Sequence, residues 1–378
     1  MLEEYIMSKD TYRILTINPG STSTKAAIYE NDQEIWNANI THSADELNAF
    51  ESLGDQGPFR RDAVLSAIAE AGLDANAFDA VVGVGGVGLA GVRYGTYAIN
   101  DIMLDDAASG KYATHPNNLG VIIADELARA CDAKAYAAGM ASSEEFHNVA
   151  HVGGFAETPR RCCVHMLNTK EVALRHAASQ GKHYQDMNLV IAHVGGGITV
   201  AAHRHGLVID GTDGVDQEGP MTPNRPGTVK LVSFMKLIAG KDLAEQKKLV
   251  STQGGFVSHL GTNDALEVKR MIEAGDEYAA LVYDALLYQV GGWIGHMAAV
   301  LEGDVDGIIL TGGLMNDDYA ADYITRMTSW IAPVSVYPGE LEGEALAAAA
   351  LRVLRDEEEL LEYTGNPVWD GFGDLKRA

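Results

Sequence analysis

Asn18-Pro19-Gly20-Ser21-Thr22-Ser23-Thr24-Lys25 follows the apolar run Tyr12-Arg13-Ile14-Leu15-Thr16-Ile17, and 175 positions later Val190-Ile191-Ala192-His193-Val194-Gly195-Gly196-Gly197-Ile198-Thr199-Val200 repeats the plan. Each stretch reads as an apolar strand, a turn of small residues and a second strand. Alternation predicts strands over 12–18, 24–30 and 33–40 with Asn31-Asp32 as a hairpin turn, and again over 188–194, 198–204 and 207–210 with His205-Gly206 in the turn place. A second echo pairs Asp79-Ala80-Val81-Val82-Gly83-Val84-Gly85-Gly86 with Asp306-Gly307-Ile308-Ile309-Leu310-Thr311-Gly312-Gly313, 227 positions on. Two echoes at different offsets describe one unit made twice, with insertions of different length. A lone glycine pair after a strand is most simply a tight turn without a ligand. Four such turns in a duplicated chain point to a grip on polyphosphate, because small residues let backbone N–H groups approach its oxygens.

Between the strands, helical spacing predicts helices over 59–71, 119–131, 167–180, 276–301 and 343–361, with Gly72, Gly181 and Gly303 as stops. Meanders followed by strand–helix units make a mixed α/β domain, present twice. The expected domains are 1–186 and 187–378, with the last helix able to cross back to the first.

The 53 acidic against 28 basic residues give a formal charge of -25, which repels a nucleic-acid backbone or an anionic membrane face. Neither is an expected partner, and no apolar run reaches the length of a membrane span. An anionic ligand must then be held by backbone N–H groups, a few basic side chains and a metal. Cys131, Cys162 and Cys163 lack metal-ligand spacing and read as reduced thiols of a cytoplasmic protein. Residues 1–10 carry three acidic side chains and lack the basic start and apolar stretch of a secretory leader; Met7 is an alternative start.

Further stretches are Tyr94-Gly95-Thr96-Tyr97, His115-Pro116-Asn117-Asn118-Leu119-Gly120, Pro159-Arg160-Arg161, His165-Met166-Leu167-Asn168, Glu218-Gly219-Pro220, Pro223-Asn224-Arg225-Pro226-Gly227-Thr228, Leu260-Gly261-Thr262-Asn263-Asp264 and Tyr337-Pro338-Gly339-Glu340. With the two turns, they make the chain resemble, almost end to end, the acetate and butyrate kinases of the actin, hexokinase and Hsp70-like fold, the butyrate kinase branch most closely. The resemblance implies two duplicated actin-like ATPase (ribonuclease H-like) domains with a nucleotide cleft between them, the second domain binding the nucleotide. It implies transfer of the ATP γ-phosphoryl group to a short-chain carboxylate, butanoate or a related or branched acid, giving ADP and an acyl phosphate, and the reverse. ATP and Mg2+ are the implied cofactors, and a homodimer or higher homo-oligomer the implied assembly.

Carried over residue by residue, the resemblance puts Gly20, Ser21, Thr22, His193, Gly195, Gly196 and Gly197 on phosphate, and Gly312 and Gly313 against adenine and ribose. Asn18 and Glu342 fall near the metal, and Arg225, His165 and His115 in catalysis. An arginine in a Pro-and-Gly-punctuated loop suits two parallel hydrogen bonds to a carboxylate or to the equatorial oxygens of a moving phosphoryl group. The plainer readings are a surface arginine in a turn, hydrogen-bonded structural histidines, and a solvated acidic helix start, the preferred reading for Glu344.

Two positions depart from the family's pattern. Val84 stands where butyrate kinases carry arginine, and Gly139 where they carry an active-site aspartate. A carboxylic acid is already ionised above about pH 4 to 5, so no general base is required and the aspartate's loss removes a positioning or metal-organising group. An arginine on the transferring group is worth on the order of a thousandfold in rate; Arg93 is the nearby candidate to replace it. The alternative function is a diverged paralogue that binds nucleotide with weak, altered or no kinase activity. Val84, Leu89, Met140 and Pro220 are the expected shapers of the acid's pocket.

Overall fold

Arg13–Pro19, Ser23–Glu30 and Gln33–Thr41 form strands β1, β2 and β3 in a computed structural model that describes residues 9–214 and 218–373. The alternative start at Met7 lies outside the described residues. The β2–β3 hairpin closes with Asn31 in the left-handed region at φ 54°, a conformation asparagine tolerates better than most residues. The remaining strands are β4 (Ala80–Val84), β5 (Thr96–Ala98), β6 (Lys134–Ala138), β7 (Asn188–Val194), β8 (Ile198–Arg204), β9 (Leu207–Gly211), β10 (Gly307–Gly312), β11 (Val334–Pro338) and β12 (Leu360–Glu362).

They build two sheets, ordered β12-β5-β6-β4-β1-β2-β3 and β11-β10-β7-β8-β9. In each, an antiparallel meander is extended by parallel strands: β1 beside β4 and then β6, β7 beside β10 and then β11. The sequence echoes are therefore a shared strand order, with β1 matching β7 and β4 matching β10.

By its internal contacts the chain forms two units, one of the residues up to Glu144 together with those from Leu341 onward, the other Glu145–Glu340. This differs from the expected division after residue 186. The helix Met166–Ser179 packs on β7 in the second unit, and the helix Glu342–Leu354 packs on β1 and β4 in the first.

In the first unit Val64 and Ile68 of the helix Gln56–Glu70, with Leu119, Ile123 and Leu127 of the helix Leu119–Ala130, meet Leu15, Ile17 and Val81 of the sheet. In the second, Leu286, Val290, Ile294 and Met297 of the helix Glu277–Val300 close on Val190, Ala192, Ile308 and Leu310. Each of these side chains larger than alanine contributes about 1.5–3 kcal/mol on burial. No helix among the described residues is long and apolar enough to cross a membrane.

The last helix, expected to run over 343–361, ends at Leu354. Asp356, two residues beyond the helix, turns left-handed at φ 57°, a conformation that does not continue a right-handed helix. The chain then becomes β12, which pairs with β5.

Strand β4 meets the helix Leu119–Ala130 backbone to backbone. A Cβ at Gly83 would sit 2.1 Å from the Gly120 carbonyl oxygen, and one at Gly120 2.5 Å from that of Val84. We expect Gly83→Ala to cost about 2–4 kcal/mol by overpacking, read as a lower urea midpoint. Gly292→Ala is the control: it lies inside the helix Glu277–Val300 with open space around a new Cβ, and should hold or gain stability by about 0.5–1 kcal/mol. Equal midpoints for both variants would refute the close approach.

Candidate active site

Buried along its whole length, β7 brings His193 to its C-terminal end, just before the turn Gly195-Gly196-Gly197. The ring is 2% exposed. Asn168 Nδ2 lies 2.9 Å from His193 Nδ1 and also donates to Thr311 Oγ1 at 3.3 Å. An amide nitrogen only donates, so Nδ1 is the acceptor and the neutral ring carries its proton on Nε2. That Nε2 would be 3.3 Å from a Cβ at Gly195, which aims it at the turn, and it lies 3.8 Å from Glu340 Oε1. Burial lowers the His193 pKa to about 4, so at neutral pH the ring is an uncharged donor.

His165 stacks on His193, with ring centroids 4.1 Å apart and planes 13° from parallel. Thr199 Oγ1 lies 2.7 Å from His165 Nδ1 and accepts the backbone N–H of His165 at 3.2 Å. Burial first, then His193 and the charge of Arg225, hold His165 well below the usual histidine range. The stack is a pair of neutral rings.

Arg225 is fixed by its loop. Thr222 Oγ1 accepts the N–H groups of Asn224 and Arg225, and Thr222 N–H donates to the Arg225 carbonyl. Gly254 N–H donates to the Asn224 carbonyl at 3.0 Å, and a Cβ at Gly255 would sit only 1.6 Å from the Thr222 carbonyl oxygen. The side chain donates from Nη1 to the Gly214 carbonyl at 2.5 Å, while its buried Nε has no hydrogen-bond partner among the described residues. Burial lowers the pKa of this guanidinium and Asp213 opposes the shift; arginine stays charged. A Cβ at Gly197 would lie 3.0 Å from His165 Nε2 and 3.2 Å from Arg225 Nη1. The turn, the histidine and the arginine thus converge on a space that any side chain at 197 would fill, and a buried orphan N–H beside it is costly until an oxygen accepts it.

Gly312 ends β10 at φ 98°, where a Cβ would be 2.4 Å from the Val194 carbonyl oxygen, and it exchanges backbone hydrogen bonds of 3.0 and 3.1 Å with Gly339. Its glycine is required by packing and conformation. Gly313 is exposed, and a Cβ there would meet open space.

The first unit holds the other candidates. Asn18 Nδ2 donates to Glu342 Oε2 at 2.8 Å, and Lys25 Nζ is 3.7 Å from the same oxygen. One carboxylate with one amide fits Mg2+, which keeps several waters and binds mainly through substrate phosphates; the described residues contain no group of three or more acidic, histidine or cysteine side chains able to hold a metal. Ser21 and Thr22 are exposed on their turn. His115 is exposed at the start of the short helix Pro116–Asn118, its Nδ1 2.8 Å from Asn117 Oδ1.

At the departing positions, Val84 packs its Cγ1 on Gly120, and Gly139 turns left-handed at φ 60°, a conformation that strains most side chains. Arg93 is exposed. Leu89 and Met140 belong to a core cluster of the first unit. Sequence reasoning missed Asn168 and Thr199 as partners of the histidines, although both lie in stretches it singled out, and it missed Arg60 beneath the first turn. The signal for Arg60 is the buried stripe Gly57, Arg60, Val64 and Ile68 at helical spacing.

The Acetokinase family is matched over residues 155–327, the stretch that holds His165, His193 and Arg225. Butyrate kinase 2 of Clostridium acetobutylicum is 41% identical over 354 residues, covering 93% of this chain and 99% of that protein. The chain belongs to the acetokinase family. A probable butyrate kinase of Clostridium botulinum is 40% identical over 356 residues, with 93% and 100% covered. Among solved structures, Porphyromonas gingivalis acetate kinase aligns with a TM-score of 0.75 at 17% identity over 91% of this chain and 100% of that one. A propionate kinase from Francisella tularensis aligns with a TM-score of 0.70 at 16% identity, over 89% and 98%. These two share the acetokinase chain's fold, two mixed α/β domains.

The low His193 pKa has a sign that can be measured. The unfolded ring takes up its proton near the ordinary value of 6.5, the folded ring only near about 4, so folding stability falls as pH drops from 6.5 to about 4 and levels off below. His165 and His203, also held low by burial, act in the same direction. His193→Gln should flatten the fall of the unfolding free energy across that window, followed by urea titration at stepped pH. A slope identical to wild type would show that the ring is not kept neutral.

Proposed function

We propose that this acetokinase-family chain is a phosphotransferase acting on a carboxyl group: it moves the γ-phosphoryl group of ATP to a short-chain carboxylic acid, butanoate or a related or branched acid, by direct in-line transfer, and runs the reverse. The observation that carries the reading is Arg225, a rigidly seated guanidinium whose buried Nε lacks a partner among the described residues and whose Nη1 borders the 195–197 turn. The acid arrives as a carboxylate, so the protein has no proton to remove. Its work is to position the reacting oxygens and stabilise charge spreading over the equatorial oxygens. Arg225 supplies the positive charge, His193 Nε2–H a neutral donor, and the turn amides further donors. His165, stacked on His193 and tied to Thr199, orients the pair.

Mg2+ fits Asn18 and Glu342, and when bound it neutralises phosphate charge. Gly313, at an open turn, is the contact for the nucleoside. The helix Leu231–Ile238, none of whose residues is buried and where Leu231, Val232, Met235 and Leu237 are exposed, supports a homodimer or higher homo-oligomer in which a second copy covers it. Three cysteines without a disulfide suit a cytoplasmic setting.

Trapping the product with hydroxylamine, using acetate, propionate, butanoate and branched acids with ATP, should give the acyl hydroxamate. Arg225→Ala should lower kcat on the order of a thousandfold with the fold retained. Arg225→Lys should recover little, because an ammonium cannot reproduce the planar fork. No hydroxamate from any acid, with ATP binding intact, would favour the nucleotide-binding paralogue signalled by Val84 and Gly139.

A further inference from the structure

We infer that Arg60 is a positioning residue that converts residues 20–22 into a phosphate-binding turn, by holding the turn's carbonyls from inside the protein so that its amides are left for an anion. Arg60 lies on the helix Gln56–Glu70 and is 0% exposed. Its Nη1 donates to the carbonyls of Gly20 and Ser23, both at 2.9 Å, and to Thr24 Oγ1 at 3.3 Å. Nη2 donates to the Ser21 carbonyl at 3.1 Å and to Gln56 Oε1 at 3.0 Å, and Nε to the same Gln56 oxygen at 3.2 Å. The one carbonyl of the turn that Arg60 does not reach, that of Thr22, accepts the His42 N–H at 2.8 Å.

Every carbonyl from residue 20 to 23 is thus occupied from within. The Gly20 N–H closes the turn on the Ser23 carbonyl at 2.8 Å, whereas the N–H groups of Ser21 and Thr22, on exposed residues, have no acceptor among the described residues. Successive open amides flanked by hydroxyls form an anion-binding nest. Among the described residues no hydrogen bond or ion pair joins Arg60 to a carboxylate, and burial lowers its pKa. An arginine remains charged even so. Among the described residues, therefore, a cation met by neutral carbonyl and hydroxyl dipoles stands behind the nest, in a chain whose net charge of -25 otherwise repels phosphate.

That the phosphate is ATP's rests on the proposed function; the nest itself does not. The test is titration calorimetry of wild type, Arg60→Gln, Arg60→Lys and Gln56→Leu with ATP, inorganic tripolyphosphate and adenosine, with thermal unfolding as the check on folding. For Arg60→Gln, affinity for ATP and tripolyphosphate should fall about tenfold or more, as for a lost charged hydrogen-bond network, with adenosine within about twofold. KM for ATP should rise while KM for the acid holds. Arg60→Lys should restore part of the tripolyphosphate affinity by its charge. If Arg60→Gln does not fold, Gln56→Leu decides: it keeps the charge but frees the guanidinium, and a fall in tripolyphosphate affinity with adenosine unchanged supports the inference. Unchanged tripolyphosphate binding in a folded variant, or an equal loss for adenosine, overturns it. Wild type that binds tripolyphosphate but not ATP, with the Arg60 dependence intact, keeps this inference and removes the kinase reading; wild type that binds neither removes both.

Discussion

A turn presents its amides to a ligand best when its carbonyls are held from within the protein, and the first unit is built around that arrangement. A chain of net charge -25 cannot gather phosphate with a broad basic face, so it relies on backbone N–H groups. In the first unit a buried arginine takes the carbonyls of Gly20, Ser21 and Ser23. In the second, the turn is cramped against His193, His165 and Arg225, and the Gly195 N–H closes on the Gly197 carbonyl at 3.1 Å. The helices and cores of each unit hold the strand ends that launch these turns.

The histidine stack decides where positive charge resides. Two imidazolium rings 4.1 Å apart would repel by about 4 kcal/mol at an effective dielectric of 20, before any contribution from Arg225. That repulsion rules out a doubly charged stack, and burial keeps each ring neutral, so the tautomer of His193 is set by Asn168 rather than by pH. Arg225 is left as the charged donor bordering the turn. A neutral donor beside a permanent cation keeps the same hydrogen-bond pattern across the physiological pH range, which a titrating histidine would not.

The duplication was legible because it is written in local pattern: alternating strands, small-residue turns and a strand ending in glycines, twice. What escaped depends on partners far apart in sequence or on charges in unusual places. Arg60 looks like one of a solvated pair with Arg61 until its helical spacing with Val64 and Ile68 is followed inward. The bond from Asn168 to His193 joins a helix to a strand, and no periodicity announces it. The unit boundary moved because the helix Met166–Ser179 gains its packing from β7, which follows it in the chain. Val84 and Gly139 stood out as lost functional residues; the backbone shows a valine fitted against Gly120 and a glycine in a left-handed turn, so their context is conformational as well as chemical.

Asn18 and His193 occupy equivalent places, each at the end of the first meander strand, yet their surroundings have diverged. Asn18 bonds a carboxylate, Glu342, at a helix start, with Lys25 close by. His193 is sealed between Asn168 and His165, and its remaining N–H is aimed at a glycine turn, an arrangement suited to an oxyanion. The duplication has thus kept a strand that ends in a small-residue turn, while the turns themselves have diverged: Gly20-Ser21-Thr22 closes from Gly20 N–H to the Ser23 carbonyl, Gly195-Gly196-Gly197 from Gly195 N–H to the Gly197 carbonyl.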